Sequence, residues 1–442
     1  MGDLINLLAG EVFFPDQGAG IKFIGKFVYI LIGAMYNHGA IGYGVAIIFF
    51  TLVLKLMLLP MDFANKYFTK RNAAKMAKFK PEEDILKEQY ASDPMQLNRA
   101  RQELYRKHGY KMGGFCGFMA INLVVTLCVF MSVFLSLRAV ADYNVQLTAQ
   151  KLQGVYLQYE EEFQDPDFDD TEFVADINKA YEQHNIGFLW IKNVWHSDVP
   201  WSPSGLTFGE YSMYTEVKTD YTRDLDTIMG FYGVSDEPEL VAYFNETYPR
   251  KDKKGKLRDP STNEIVAQYV YDVKLTQFNT IEPAIDSSYK RKWNGLLILI
   301  ALAGATTYLS LYLNAKFLGV KKTKGEVKAQ EKKAQYSMRN VKNQADQPKA
   351  PTVDPAMMGK VMKIALPIVM VIFTFMNTAA LAIYIIANSV FSTVIMLGLN
   401  YPADKLVKWQ EKRAEKRGTG GPATDTSVIN PHAKYFKSKR SK

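Results

Sequence analysis

Seven polar residues embedded in apolar stretches are the candidates for chemistry: Thr51 and Lys55, Asn122 and Thr126, and Tyr384, Asn388 and Ser392. Within each set the spacing is four, so each forms a stripe along one face of a helix. Threonine and asparagine at such positions suit hydrogen bonding between helices. Lys55 does not fit that use. No Asp or Glu occurs within the apolar stretches, so its charge calls for water or a transient anionic partner. It lies about three positions, or about 5 Å, past the centre of its stretch. Exposure to lipid there would cost at least about 2.5–3.5 kcal/mol. A protein-facing or hydrated groove is the better setting, and a cation with amides and hydroxyls in such a groove can hold a polar segment in passage.

Bond-making chemistry finds no support. The histidines (His38, His108, His184, His196 and His432) are scattered, without HExxH or other metal spacing. There is no GxxxxGK[ST] phosphate loop and no serine in a nucleophile elbow. The two cysteines, Cys116 and Cys128, lie in or beside one apolar stretch, so neither a disulfide framework nor a metal cluster is implied. No cysteine near the N-terminus offers a lipid attachment point. Asn245-Glu246-Thr247 matches a glycosylation acceptor only at the level of chance. The expectation is a protein with no cofactor and no enzymatic activity.

The elements that position these residues are membrane spans. A helix needs about 18 apolar residues or more to cross a hydrocarbon core about 30 Å thick. Ile41–Pro60, Phe115–Leu137 and Trp293–Leu313 each qualify. Val361–Leu399 is long enough for two crossings, and Asn377-Thr378 in its middle reads as the turn of a hairpin. Five spans result.

Charge orients them. Lys66 to Lys111 holds a dozen Lys and Arg, and Lys316–Lys360 and Lys405–Lys442 are also basic, whereas Asp142–Asp286 has roughly twice as many acids as bases. The positive-inside rule places the basic stretches in the cytoplasm and the acidic one outside, with the N-terminus outside and the C-terminus inside. The net charge of +9 therefore hides an acidic exterior opposite a strongly basic interior face.

The expected fold is mainly α: a polytopic helical membrane bundle of five spans with a cytoplasmic helical hairpin and an α+β or irregular extracytoplasmic insert. In order, the segments are an outer N-terminal segment (1–40), the first span (41–62), the hairpin (63–114) and the second span (115–138). The insert (139–292), the third span (293–314), a basic loop (315–360), the fourth and fifth spans (361–399) and a basic tail (400–442) follow. Ile21–Tyr36 is short for a crossing and reads as a helix in the outer interface, a sixth span being the alternative. In the hairpin, Asp62–Lys78 continues the first span, Pro81 starts one helix, and Ser92-Asp93-Pro94 starts another that ends at Gly109. The insert carries aromatic patches (Phe188-Leu189-Trp190, Trp195 and Trp201), a strand-like run at Ile265–Phe278 and an exposed turn at Lys251–Arg258.

The run "KPEEDILKEQYASDPMQLNRARQELYRKHGYKMGG" at Lys80–Gly114 resembles the cytoplasmic hairpin of the YidC/Oxa/Alb membrane protein insertases. "GYGVAIIFFTLVLKLMLLPM" is similar to the family's first core span, "FCGFMAINLVV" to its second and "MNTAALAIYIIANSVFSTVI" to its last. The ordered set carries the resemblance, which covers the five spans and the hairpin but little of Ala139–Ile186.

The resemblance implies an insertase of the bacterial plasma membrane that receives nascent membrane proteins in a polar groove, with or without the Sec translocon. Lys55 stands where the family has a groove arginine and Asn122 where it has a glutamine, keeping a cation and an amide but losing arginine's planar fork and some reach. Tyr384 and Asn388 keep the last-span pattern, with Ile385 where tryptophan is common. The large insert departs from the pattern, and the absence of the outer domain that Gram-negative members carry ahead of the core implies a Gram-positive type. The basic tail suits the ribosome or anionic lipids as partners. A small-solute or ion transporter using the same groove is the competing reading, although internal repeats are lacking.

Overall fold

Long helices dominate because the apolar runs are long and interrupted by few helix breakers. The structure, a computed structural model, describes residues 13–39, 41–90, 93–107, 112–182, 185–290, 292–318 and 355–416. The helices are α1 (Lys22–Gly39), α2 (Tyr43–Gln89), α3 (Pro94–Lys107), α4 (Met112–Tyr159), α5 (Thr171–Tyr181), α6 (Phe208–Tyr214), α7 (Leu225–Tyr232) and α8 (Glu237–Thr247). A two-stranded antiparallel hairpin, β1 (Arg250–Lys251) and β2 (Leu257–Arg258), precedes α9 (Thr262–Ala284), α10 (Ile298–Leu318), α11 (Pro355–Phe375) and α12 (Ala379–Lys416).

All five expected spans fall on helices. Three are long and apolar enough to cross a membrane, at Tyr43–Met76, Ala120–Tyr159 and Ala379–Arg413, and shorter apolar helices cover Ile298–Asn314 and Lys363–Phe375. The protein is a mainly α, helical membrane protein. The turn between α11 and α12 falls at Met376–Thr378, where the Asn377 side-chain amide donates to the Phe373 carbonyl at 2.6 Å and closes the end of α11.

Two expectations need correction. Pro81 starts no helix, because α2 runs through it without a break to Gln89. A proline inside a helix removes one backbone bond, and that loss is outweighed by forty-seven residues of continuous helix. The run Ile265–Phe278 is helical within α9 rather than a strand. Its start is fixed by a capping box in which Ser261 and Glu264 satisfy each other's backbone amides. Its buried residues Ile265, Tyr269, Gln277 and Ile281 recur at multiples of four, a helical period. Among the described residues the regular structure of the insert is helical apart from the β1–β2 hairpin, whose Gly255 adopts φ +79° at the expected exposed turn.

Contacts divide the chain into two compact units. The first lies within Met1–Met57, Leu123–Leu311 and Pro355–Phe391. Its α4 continues past the expected end of the second span and becomes the spine of the insert, burying Val145, Ala149, Leu152 and Tyr156. Around the spine, Gln153 donates to Gln277 at 3.3 Å, Tyr211 donates to Gln277 at 3.0 Å, and the Lys274 ammonium donates to the carbonyls of Ser212 and Thr215 at 2.8 and 2.6 Å. A small core of Ile228, Leu240, Phe244, Ile265 and Tyr269 joins α7, α8 and α9. The N-terminal segment runs along α4. Phe13 and Asn144 exchange two hydrogen bonds, and Gly20, at φ +68°, passes so close to Ser132 that a Cβ would lie 2.9 Å from its Cα. From there α1 buries Val28, Tyr29 and Ile32.

One irregular loop, residues 185–206, ties together the starts of three apolar helices. Phe188 packs so tightly on Gly44 of α2 that any Cβ there would lie 2.3 Å from the ring. The Asp198 carboxylate accepts from Leu296 and Leu299 at the start of α10, at 2.7 and 2.6 Å. The carbonyls of His196 and Val194 accept from Ala379 and Ala380 at the start of α12, at 2.8 and 3.3 Å. Asn193 and Asn294 brace the loop through reciprocal bonds of 2.7 and 2.8 Å. The loop thereby supplies acceptors to amides that a helix start leaves unpaired.

The second unit lies within Leu58–Asn122, Tyr312–Asp354 and Ser392–Lys442. In it α2 and α3 are joined by Arg101 and Glu83 at 3.1 Å, with Glu83 almost buried. Farther up α2, Lys70 pairs with Asp404 of α12 at 2.6 Å and donates to the Asn400 carbonyl at 3.0 Å. Lys66, one turn away, is 1% exposed, and no described residue accepts from its Nζ.

Candidate functional site

The polar stripes fall on continuous helices, so the expected i, i+4 registers hold on α2, α4 and α12. Their environments differ. Thr51 is fully buried, and its hydroxyl donates to the Ile47 carbonyl one turn back at 2.7 Å. That donor is spent inside α2, which leaves Thr51 only acceptor capacity for a visiting group. Lys55, one turn on, is half-buried. The next two residues of α2, Leu56 and Met57, are exposed.

On α4, Asn122 is half-buried, and its side-chain carbonyl is screened without a hydrogen-bond donor among the described residues. An amide oxygen in that state is an acceptor waiting for a partner. Thr126 is exposed, in a surface made by Ile121, Leu123, Val124 and Leu127. It stands on a face built for lipid or for an apolar segment.

On α12, Tyr384 is buried, with its ring 6.3 Å from Phe130 of α4. Phe130 and Phe134 lie 5.9 and 4.8 Å from Phe373 of α11, so Tyr384 closes an aromatic cluster shared by three helices. Asn388 and Ser392 are half-buried. Thr51, Lys55, Thr126, Tyr384 and Asn388 belong to the first unit, and Asn122 and Ser392 to the second.

Sequence reasoning passed over three things. Thr307 of α10 and Ser389 of α12 form a buried hydroxyl pair at 3.3 Å, beside Asn388. Two small polar residues in apolar runs were a readable signal for it. The loop residues Asn193, Asp198 and Asn294 had none, since their partners lie about a hundred positions away. His196 is nearly buried, 3.5 Å from Glu210. Burial lowers the pKa of its imidazole, and the Glu210 charge raises it in part. Cys128 is half-buried and carries no disulfide. The Cys116 side chain, His108, His184, His432, Gly109, most of the basic loop and the tail beyond Lys416 lie outside the described residues.

Comparison with known proteins adds a lineage to this geometry. The family described as 60Kd inner membrane protein matches residues 34–232, which enclose α2, the hairpin, α4 and the first half of the insert. Over this region the chain is similar to the YidC/Oxa family. Curated relatives carry the description membrane protein insertase YidC. That of Magnetococcus marinus is 35% identical over 101 residues, 23% of this chain and 17% of the relative. Those of Clostridium tetani and Fusobacterium nucleatum are 29% and 31% identical over 89 and 88 residues. Each of these two matches covers 20% of this chain, and 39% and 41% of the respective relative. The chain therefore spans less than half the length of these YidC relatives. No solved structure matches.

Proposed function

We propose that the protein is a membrane protein insertase that passes short hydrophilic segments of nascent membrane proteins through a polar intramembrane groove and releases their spans into lipid. The observation that carries this reading is the family match over residues 34–232, which encloses both Lys55 and Asn122. The groove would be made by Lys55, Thr51, Asn122, Thr126, Tyr384, Asn388 and Ser392. Lys55 engages acidic or carbonyl groups of the passing segment, Asn122 offers its unpartnered oxygen to backbone amides, and Asn388 and Ser392 hold water. Each such contact lowers the desolvation cost of bringing a polar chain into the bilayer. Thr126 lies on the open apolar face where the client's span would leave for lipid. The protein would sit in the bacterial inner membrane with its N-terminus outside and its C-terminus in the cytoplasm, the insert facing outward. Its partners would be nascent membrane proteins, the Sec translocon, and the ribosome or anionic lipids through the basic tail.

A photo-crosslinker placed at position 55 of the full chain, in membranes carrying stalled nascent chains, tests the groove. Adducts to the client's hydrophilic segment are expected. Adducts confined to probes on α10 and on the lipid-facing side of α12, with none at 55, would remove Lys55 from the path. For the tail, truncation after Lys416 should abolish ribosome co-sedimentation if it holds the ribosome, and unchanged co-sedimentation would discard that partner.

A further inference from the structure

The aromatic patches of the insert have no part in the groove, and the loop that holds them has an unusual tip. Phe188 and Ile191 exchange two backbone hydrogen bonds of 3.0 and 2.9 Å, closing a two-residue turn with Leu189 and Trp190 at its apex. Leu189 adopts φ +55°, a left-handed conformation that such a turn normally gives to glycine. Its side chain is 72% exposed, so the strained backbone is not offset by packing within the protein. Farther along the same loop, Trp201 is 62% exposed and its ring lies 5.8 Å from Phe375. The adjoining Met376 is 76% exposed.

Two spans fix the height of this surface independently. Phe188, the base of the turn, packs on Gly44, at the start of the apolar helix that begins at Tyr43. Trp201 rests on Phe375, the last residue of the apolar helix Lys363–Phe375. Both contacts therefore lie where an apolar run ends, at the boundary between hydrocarbon and water. Tryptophan is enriched at that level, since its ring is apolar and its N–H is polar.

We propose that Leu189, Trp190, Trp201, Phe375 and Met376 form a lipid-binding anchor, by which the insert dips into the interfacial layer of the membrane at the end where α2 begins. Lipid supplies the apolar contact that the strained Leu189 lacks in the protein. The loop that seats the starts of α2, α10 and α12 is held against the bilayer by the same surface. A soluble turn would carry glycine or asparagine at position 189 and polar residues at 190 and 201. The inference depends on the membrane character of the helices and not on the insertase reading.

The test uses the full chain in phosphatidylcholine vesicles, with Cys116 and Cys128 replaced by serine. An environment-sensitive fluorophore is attached to cysteine introduced by Leu189→Cys, Trp201→Cys or, as a control on the exposed β2 strand, Leu257→Cys. Labels at 189 and 201 should lose emission when the vesicles are made with bromine-bearing acyl chains and should resist aqueous iodide. The label at 257 should show the reverse. Quenching by iodide at 189 and 201 with no effect of bromine would overturn the anchor. Protection from both quenchers would overturn it as well, since a protein partner or second copy would then cover the surface. If either labelled variant fails to fold, bromine quenching of native Trp emission, compared between Trp201→Phe and the unsubstituted chain, serves instead. An equal quenched fraction in the two would refute the proposal.

Discussion

Replacing Asp198 with alanine should loosen the start of α10 without disturbing the rest of the bundle. Asp198 is 1% exposed and its carboxylate accepts from two amides at the helix start, Leu296 just before the first turn at 2.7 Å and Leu299 within it at 2.6 Å. Loss of a capping side chain costs about 1 kcal/mol. Hydrogen bonds to a charged group contribute about 1.5–3 kcal/mol each, and burial leaves the Leu299 amide with no water to replace its bond. These contributions overlap, so about 3 kcal/mol is the reasonable total, against about 1 kcal/mol for Asp198→Asn, which keeps one acceptor oxygen. Hydrogen exchange of the full chain in detergent reads this locally. At about 1.4 kcal/mol per tenfold, exchange at the Leu299 and Ala301 amides should rise roughly 100-fold in Asp198→Ala and by less than tenfold in Asp198→Asn. Amides in α9 should not change. Equal exchange in the two variants, or less than a threefold rise in the alanine variant, would refute the assignment of Asp198 as the determinant of this helix start.

Two further outcomes follow from the same structure. Burial depresses the His196 pKa in the folded state, so below its ordinary value of about 6.5 the unfolded chain takes up the proton more readily. Stability should be complete above about pH 6.5 and fall as the pH drops. Thermal unfolding of the full chain between pH 5 and pH 8 should show this slope, and His196→Gln should flatten it; an identical slope in the variant would assign the dependence elsewhere. Glu83→Gln weakens the partly buried pair with Arg101, at a cost of about 1 kcal/mol. The α2–α3 hairpin should then be cleaved about fivefold faster by a protease limited by local opening, and unchanged cleavage would show that apolar contacts such as Leu104 hold it.

The membrane helices were legible because hydropathy alone marks them, and Asn377 marked the hairpin between α11 and α12. The insert was not, because its order comes from contacts far apart in sequence, such as Asp198 with Leu299 and Asn193 with Asn294. The strand-like reading of Ile265–Phe278 followed the alternation of Val and Tyr with polar residues, whereas the buried set recurs at a helical period. For the candidate site, residue types and registers could be read, but exposure could not. Thr51 and Tyr384 are buried and Thr126 is exposed, because neighbouring helices decide which part of a polar stripe is covered. Lys66 went unnoticed among a dozen basic residues, since nothing in its local sequence shows that the fold buries it.

Insertion of a small single-spanning protein into liposomes holding the purified chain, read by protease protection, tests the central claim most directly. Wild type should protect the client above the background of empty liposomes. Lys55→Ala should lower protection about tenfold, the loss expected from one charge-assisted contact of about 1.5 kcal/mol, and Lys55→Arg should retain it. Protection no greater than in empty liposomes, with folded protein present, would contradict the insertase reading, and full activity in Lys55→Ala would contradict the groove.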